Sequence, residues 1–161
     1  MQILLITLHL LANPVKQMAR IQIDLPEKMI FDTELDVRVS DVNYGGHAGN
    51  DSILTLMQEA RVRFYRSLEI MSEVRIEGEI GQIITDAAVV YKSESFMGDS
   101  LQIRIGVADF NKYGFDMYYQ ILNSQTGKEV ARGKTGILCF NYATRKVSSI
   151  PAGFFQKLNN S

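Results

Sequence analysis

Cysteine is almost absent from this chain: Cys139 stands alone among 161 residues. One thiol cannot form an internal disulfide, so the composition suits a reducing compartment and predicts a cytoplasmic protein. Its setting, TGILCFN, reads as a small buried hydrophobe rather than a nucleophile. Histidine is scarce too, with only His9 and His47, and no Cys/His cluster has zinc spacing; no metal and no cofactor are expected. Neither sign of charge dominates. Lys and Arg number 17 against 18 Asp and Glu, a net charge of -1, which provides no footprint for nucleic acid or an anionic membrane. No apolar run is long enough to cross a bilayer, since the longest, Ile3–Ala12, falls well short of the ~20 residues a spanning helix needs. That run also lacks the basic flank and small-x-small cleavage site of a secretory signal. Residues 1–17 are therefore expected to be an N-terminal extension, either disordered or preceding a true start at Met18. An inefficient signal or an anchoring peptide is the other reading of them. Repeats, low-complexity tracts and linkers are absent after Met18, which predicts one domain over residues 18–161.

What remains is an ordinary globular composition, 46% apolar and 22% charged. Glu34–Ser40 alternates, with Leu35, Val37 and Val39 on one face, as in a half-buried strand. The glycine-rich loop Tyr44-Gly-Gly-His-Ala-Gly49 follows. From Asp51 to about Leu68, the residues Ile53, Leu56, Met57, Ala60, Phe64 and Leu68 fall on one stripe of helical period. Asn50 or Asp51 is suited to cap its first turn. Asp51, Thr55, Glu59, Arg63 and Arg66 form the opposite, polar face.

Strand patterns fill the rest: Ile80–Lys92, Leu101–Val107, Phe115–Ile121 and Val130–Phe140. Gly98-Asp99, Asn111–Gly114 and Asn123–Gly127 are turn signals at hairpin spacing. One helix with a single apolar stripe and a sheet with one apolar face bury each other when the sheet curls around the helix. The class predicted is α+β, a curved antiparallel sheet around one long central helix. An exposed sheet edge then calls for a two-fold partner, so a homodimer is expected, with further pairing of dimers left open.

The segment Gly46-His47-Ala48-Gly49-Asn50, followed by Gln58-Glu59-Ala60-Arg61, resembles the loop and central helix of the hotdog-fold thioesterases of the 4-hydroxybenzoyl-CoA thioesterase type. Ala88–Asp99, Asn141–Lys146 and Ile150-Pro151 extend the likeness over roughly Ile21 to Pro151. The resemblance implies a hotdog fold and hydrolysis of a thioester carried on coenzyme A or acyl carrier protein, at a loop-and-helix site in a homodimer. The chain departs from the family's Asp-x-x-Gly-His spacing, because Asp41 lies five residues before Gly46. Gly49 stands where the family has an asparagine, and Gln58 where many relatives carry a carboxylate.

Thioester hydrolysis needs an oriented water or nucleophile, a carboxylate, and donors for the oxygen that gains charge. Asp41 and Asp51 are rival carboxylates, each with a plain structural reading as turn or cap. His47, between glycines at the mouth of a helix, is a candidate to orient carboxylate or water; the alternative is a loop histidine bonded to backbone. Asn43, Gly45, Gly46 and Asn50 are candidates to bind substrate, through backbone N–H groups and side-chain amides, and the two asparagines serve equally as turn holders. Glu59 is held in reserve, since Arg63 at i+4 makes a helix ion pair the simpler account of it. Tyr113, Tyr118 and Tyr119 read as strand or dimer-seam decoration. Two other functions fit the pattern. Asp41-Val-Asn43 with His47 looks like a hotdog enoyl-CoA hydratase, and the displaced helix carboxylate fits a non-catalytic acyl-binding or dimerisation module.

Overall fold

The computed structural model describes residues 20–160, so the expectation for residues 1–17 lies outside the described residues. Six strands form one antiparallel sheet. They are β1 (Phe31–Asp36), β2 (Ile80–Tyr91), β3 (Ser100–Ala108), β4 (Gly114–Asn123), β5 (Glu129–Asn141) and the short β6 (Lys146–Val147). The order across the sheet is β1-β3-β4-β5-β2, with β6 on β5. Helix α1 (Asn50–Ser67) lies in the curve of the sheet, and a second helix, α2 (Ala152–Asn159), closes the C-terminal side. The sequence did not suggest α2 in advance; Phe154 and Leu158 anchor it in the core.

The central helix follows its pattern. Ile53, Leu56, Met57, Ala60 and Phe64 are buried, and they meet Leu101, Ile103, Ile105, Met117 and Ile121 from the concave face of the sheet. Each large side chain withdrawn from water in this way contributes about 1.5–3 kcal/mol. No side chain caps α1, so its stability comes from this packing rather than from the helix alone.

Four expectations change. The strand at the N-terminal end stops at Asp36, and the chain then turns through a short 3-10 segment, Val39–Asp41. Val39 is therefore 76% exposed while Leu35 and Val37 stay buried. The residue at the cap position of α1 is Gly49, with Asn50 and Asp51 already in the first turn. Gly98-Asp99 does not close a hairpin: β2 pairs with β5, and residues after Tyr91 cross to β3 on the far side. The turn's own hydrogen bonds explain the error, because Gly98 N–H donates to Val37 O at 2.9 Å and Val37 N–H to Asp99 O at 2.9 Å. The turn thus serves β1, not β2. Finally, Tyr119, expected as strand or dimer-seam decoration, lies on β4 with its side chain fully buried in the core.

Tyr119 belongs to a polar network inside the core. Arg61, on the inner face of α1, donates from Nε to Glu73 Oε1 at 2.5 Å and from Nη1 to the Tyr119 hydroxyl at 3.5 Å. Gln82 Nε2 donates to the same Glu73 oxygen at 2.8 Å, and the Tyr65 hydroxyl donates to Gln82 Oε1. Burial opposes the Arg61 charge, but Glu73 and Tyr119 outweigh it and raise its pKa further above the usual value. The network ties the segment between α1 and β2 to both the helix and the sheet.

Candidate functional site

The loop before α1 is pinned at both ends. Arg38 O accepts from Asp41 N–H at 3.0 Å, and Ala48 N–H donates to Ser95 O at 2.8 Å, which ties the loop to the crossover after β2. Between these points Asn43 N–H donates to His47 O at 2.9 Å and Gly46 N–H to Asn43 O at 3.0 Å, a tight turn with Tyr44 at its exposed tip. Gly46 has φ +82, a conformation that favours glycine. The Asn43 side chain completes the turn by accepting from Gly45 N–H at 2.8 Å. The N–H groups of Gly45 and Gly46 are thus engaged within the loop, and the first turn of α1 supplies backbone donors beside it.

The two rival carboxylates lie in different surroundings. Asp41 is buried, and it accepts from Arg38 three times: from the backbone N–H at 2.8 Å, from Nε at 3.1 Å and from Nη2 at 3.3 Å. Burial pushes the Asp41 carboxyl up, but these hydrogen bonds and the guanidinium charge outweigh it and hold its pKa below the usual value. Asp51 is exposed in the first turn of α1, where the helix dipole favours negative charge. Its carboxylate folds back over Gly49, such that a Cβ there would meet Asp51 Oδ1 at 2.6 Å and the Asn43 Cβ at 3.7 Å. The missing side chain at Gly49 is what lets Asp51 and Asn43 share that space.

His47 stands on the other side of the turn. A Cβ at Gly45 would meet both Asn43 Oδ1 and His47 Nε2 at 3.1 Å. His47 Nδ1 lies 3.2 Å from Ala48 O. A carbonyl only accepts, so His47 donates here from Nδ1–H, and Nε2 is the ring nitrogen turned away from this contact. Nε2 is also 3.9 Å from Glu94 Oε1. The loop therefore gathers Asn43, His47, Asp51 and the uncapped end of α1, and turns the Asp41 carboxylate away to Arg38.

Among the described residues, hollows open on two sides of α1 near the loop. One, about 240 Å³, opens beside His47 and Asn50 and is walled by Ile53, Tyr91, Ser95 and Val130. The other, about 380 Å³, lies over the polar face of the helix beside Arg38, Thr55, Gln58 and Glu59. There Glu59 accepts from Arg63 Nε at 2.9 Å, the i,i+4 pair expected from spacing, and Arg63 also reaches Glu34 O at 3.0 Å. Glu94 and Ser95 went unnoticed in the sequence because no helical or strand period marks the crossover. Among the described residues no group of His, Cys, Asp and Glu is arranged to hold a metal ion, and no helix is long and apolar enough to cross a membrane.

Comparison with known proteins identifies the family and the fold. The model of the thioesterase-like superfamily matches residues 37–158, from the end of β1 through α2. The chain belongs to that superfamily, which places it among thioester hydrolases of hotdog fold. A 1,4-dihydroxy-2-naphthoyl-CoA thioesterase from Synechocystis superposes with a TM-score of 0.74 at 19% identity, over 81% of this chain and 96% of that one. A gentisyl-coenzyme A thioesterase gives 0.70 at 20% identity, over 80% and 99%. A Staphylococcus aureus protein solved in complex with CoA gives 0.74 at 14% identity, over 86% and 87%. At these identities the likeness is one of fold. No curated protein matches by sequence.

Proposed function

We propose that this protein hydrolyses acyl thioesters of coenzyme A or acyl carrier protein at the loop and N-terminus of α1. The observation that carries the reading is the pairing of an unengaged carboxylate, Asp51, with a helix end that no side chain caps. In this reading the thioester oxygen faces the first-turn N–H groups of α1. Asp51, with His47 Nε2 beside the same turn, takes a proton from water as its oxygen adds to the thioester carbon. The helix end stabilises the oxyanion. Collapse of the adduct then breaks the carbon–sulfur bond, and the departing thiolate takes up the proton. Asp41 has a structural task, because Arg38 already engages both of its oxygens. The same engagement weighs against the hydratase reading, which needs Asp41 free to activate water. Asn43 holds the turn, and Asn50 stands at the wall of the smaller hollow.

The assembly proposed is a homodimer. β2 pairs with β5 on one side only, and its residues from Ile84 to Ala87 are exposed. A strand of 12 residues with a free edge is a template for pairing with another chain, and a second copy laid antiparallel along it covers both edges at once. Sedimentation equilibrium is expected to yield twice the chain mass of 18.2 kDa; a monomer at micromolar concentration overturns the dimer.

The reaction is tested by incubating the full chain with a panel of acyl-CoA esters and following thiol release. Release that is lost in His47→Ala is the expected result. Hydration of crotonyl-CoA without thiol release overturns the hydrolase in favour of the hydratase. Binding without either reaction overturns it in favour of a non-catalytic module.

A further inference from the structure

The larger hollow takes no part in the reaction as proposed, yet it continues the face of α1 on which that reaction begins. It lies between α1 and β1, walled by Leu35, Asp36 and Arg38 on one side and by Thr55, Gln58 and Val62 on the other. β1 and β2 are opposite edges of the sheet, so this hollow is remote from the edge where a second copy is proposed to pair. At 3.6 residues per turn, Thr55, Gln58 and Val62 all fall within about 40° of Asp51 around the helix. They form a line that runs about 16 Å along the axis, from the proposed general base to Val62.

The charges along this groove cancel. Arg38 and Arg63 stand against Asp36 and Glu59. Both arginines are also engaged already: Arg38 with Asp41 at 3.1 and 3.3 Å, and Arg63 with Glu59 at 2.9 Å and Thr33 at 3.2 Å. A phosphate finds no surplus of positive charge there. Leu35, Leu56 and Val62 supply an apolar floor. Gln58 is exposed, and nothing among the described residues bonds its amide. Such a groove suits an uncharged chain that carries amides of its own. The thiol side of the proposed substrate is a chain of this kind, because a pantetheine arm has two amides between its sulfur and the phosphates. Extended, it compares with about four residues of polypeptide and reaches roughly 14 Å. That length takes it from a thioester beside Asp51 nearly to Val62.

We infer that the groove between α1 and β1 seats the pantetheine arm of the substrate, with the Gln58 amide donating to a carbonyl of the arm and accepting from its N–H. This rests on the thioester-hydrolase reading and adds to it a place for the thiol side of the substrate. The phosphates then lie beyond Val62, outside the groove.

The test takes the acyl group that the panel releases fastest and presents it on CoA, on pantetheine and on ethanethiol. The enzymes are the wild type, Gln58→Met, which keeps the length of the side chain and removes the amide, and Gln58→Trp, which also fills the groove. In the wild type the pantetheine ester is expected to exceed the ethanethiol ester by about tenfold in kcat/KM, the scale of one hydrogen bond. Gln58→Met is expected to lower kcat/KM about tenfold on the CoA and pantetheine esters, through KM, and by less than about twofold on the ethanethiol ester. Gln58→Trp lowers it further on the same two. Melting temperature stays at the wild-type value, because the side chain is exposed and unbonded. The same acyl group on acyl carrier protein is assayed alongside, and its kcat/KM against that of the CoA ester separates the two carriers of the arm. Equal losses on all three small esters place Gln58 in the chemistry or the fold and overturn the inference. So does a loss confined to the CoA ester, which puts the nucleotide in the groove, and so does no loss in either variant. Each of these patterns overturns the inference alone; no thiol release from any ester of the panel overturns the hydrolase reading beneath it.

Discussion

The two carboxylates of the loop separate under one pair of substitutions, Asp41→Asn and Asp51→Asn. Asp41 accepts three hydrogen bonds from Arg38 within 3.3 Å. An asparagine retains the acceptor for one or two of these and loses the charge, a cost of about 1–2 kcal/mol for weakened charge-assisted bonds. In a domain of this size that lowers Tm by roughly 2–8 °C. The substitution leaves Asp51, His47 and the helix end in place, so kcat is expected to change less than about fivefold at a temperature where the protein is folded, far below the loss from removing a general base. Asp51→Asn does the reverse. The side chain is exposed, and its interaction with the helix dipole is worth about 0.5 kcal/mol, so Tm scarcely moves. Loss of the general base costs on the order of a hundredfold in kcat or more. The assay is thiol release from a saturating acyl-CoA ester beside a thermal melt of each variant. A hundredfold loss in Asp41→Asn at unchanged Tm, with Asp51→Asn near wild type, refutes the assignment.

Three further outcomes are expected. Arg61→Met leaves Glu73 and Tyr119 without their shared cation, and because the Glu73 side chain is 28% exposed and can turn to water, the loss in urea unfolding is about 2–3 kcal/mol rather than the larger cost of a sealed pair. Gly81→Ala places a Cβ 2.5 Å from the Val74 backbone, which forces the segment before β2 away from the sheet; a loss of about 1–3 kcal/mol and faster exchange of the Gln82 amide, now bonded to Glu73 O at 2.8 Å, are the readouts. The Asp41–Arg38 pair also sets a pH dependence. A carboxyl whose pKa is lowered in the folded state contributes stability that is present above its ordinary value of 3.8 and is lost as pH falls through the lower, folded value. The difference in urea midpoint between wild type and Arg38→Ala is therefore expected to be steady from pH 7 to about 5 and to vanish in stronger acid; a difference that grows on acidification contradicts it.

The parts of this fold governed by a local period were legible in the sequence. Ile53 to Phe64 declared α1, and the alternation in β3 and β4 declared strands, because one side chain in two or in three to four must face the core. Register and neighbour choice were not legible. Gly98-Asp99 looks like a hairpin turn by composition, yet its hydrogen bonds go to Val37, and only the pairing of β2 with β5 reveals the crossover. Arg61 was visible as part of a helix motif, but its partner Glu73 sits in a segment without period, so nothing marked the pair as buried. At the site, the location of the loop could be read from its glycines and the helix that follows. The different surroundings of Asp41 and Asp51 could not, because they depend on where the Arg38 side chain turns.

The crossover also has a kinetic consequence. β3, β4 and β5 are joined by short turns and assemble from neighbours in the chain, whereas β2 meets β5 across sequence separations of 40 to 61 residues. Closing so long a loop is entropically slow, so β2, like β1 whose pairing with β3 spans separations of 64 to 74 residues, is expected to add after β3, β4 and β5 have assembled. Tyr91, which ends β2, and Ser95 just beyond it form one wall of the hollow beside His47. During refolding, helix content therefore returns first and the hollow is completed only when β2 docks, so that recovery of catalysis is expected to lag the return of helix content.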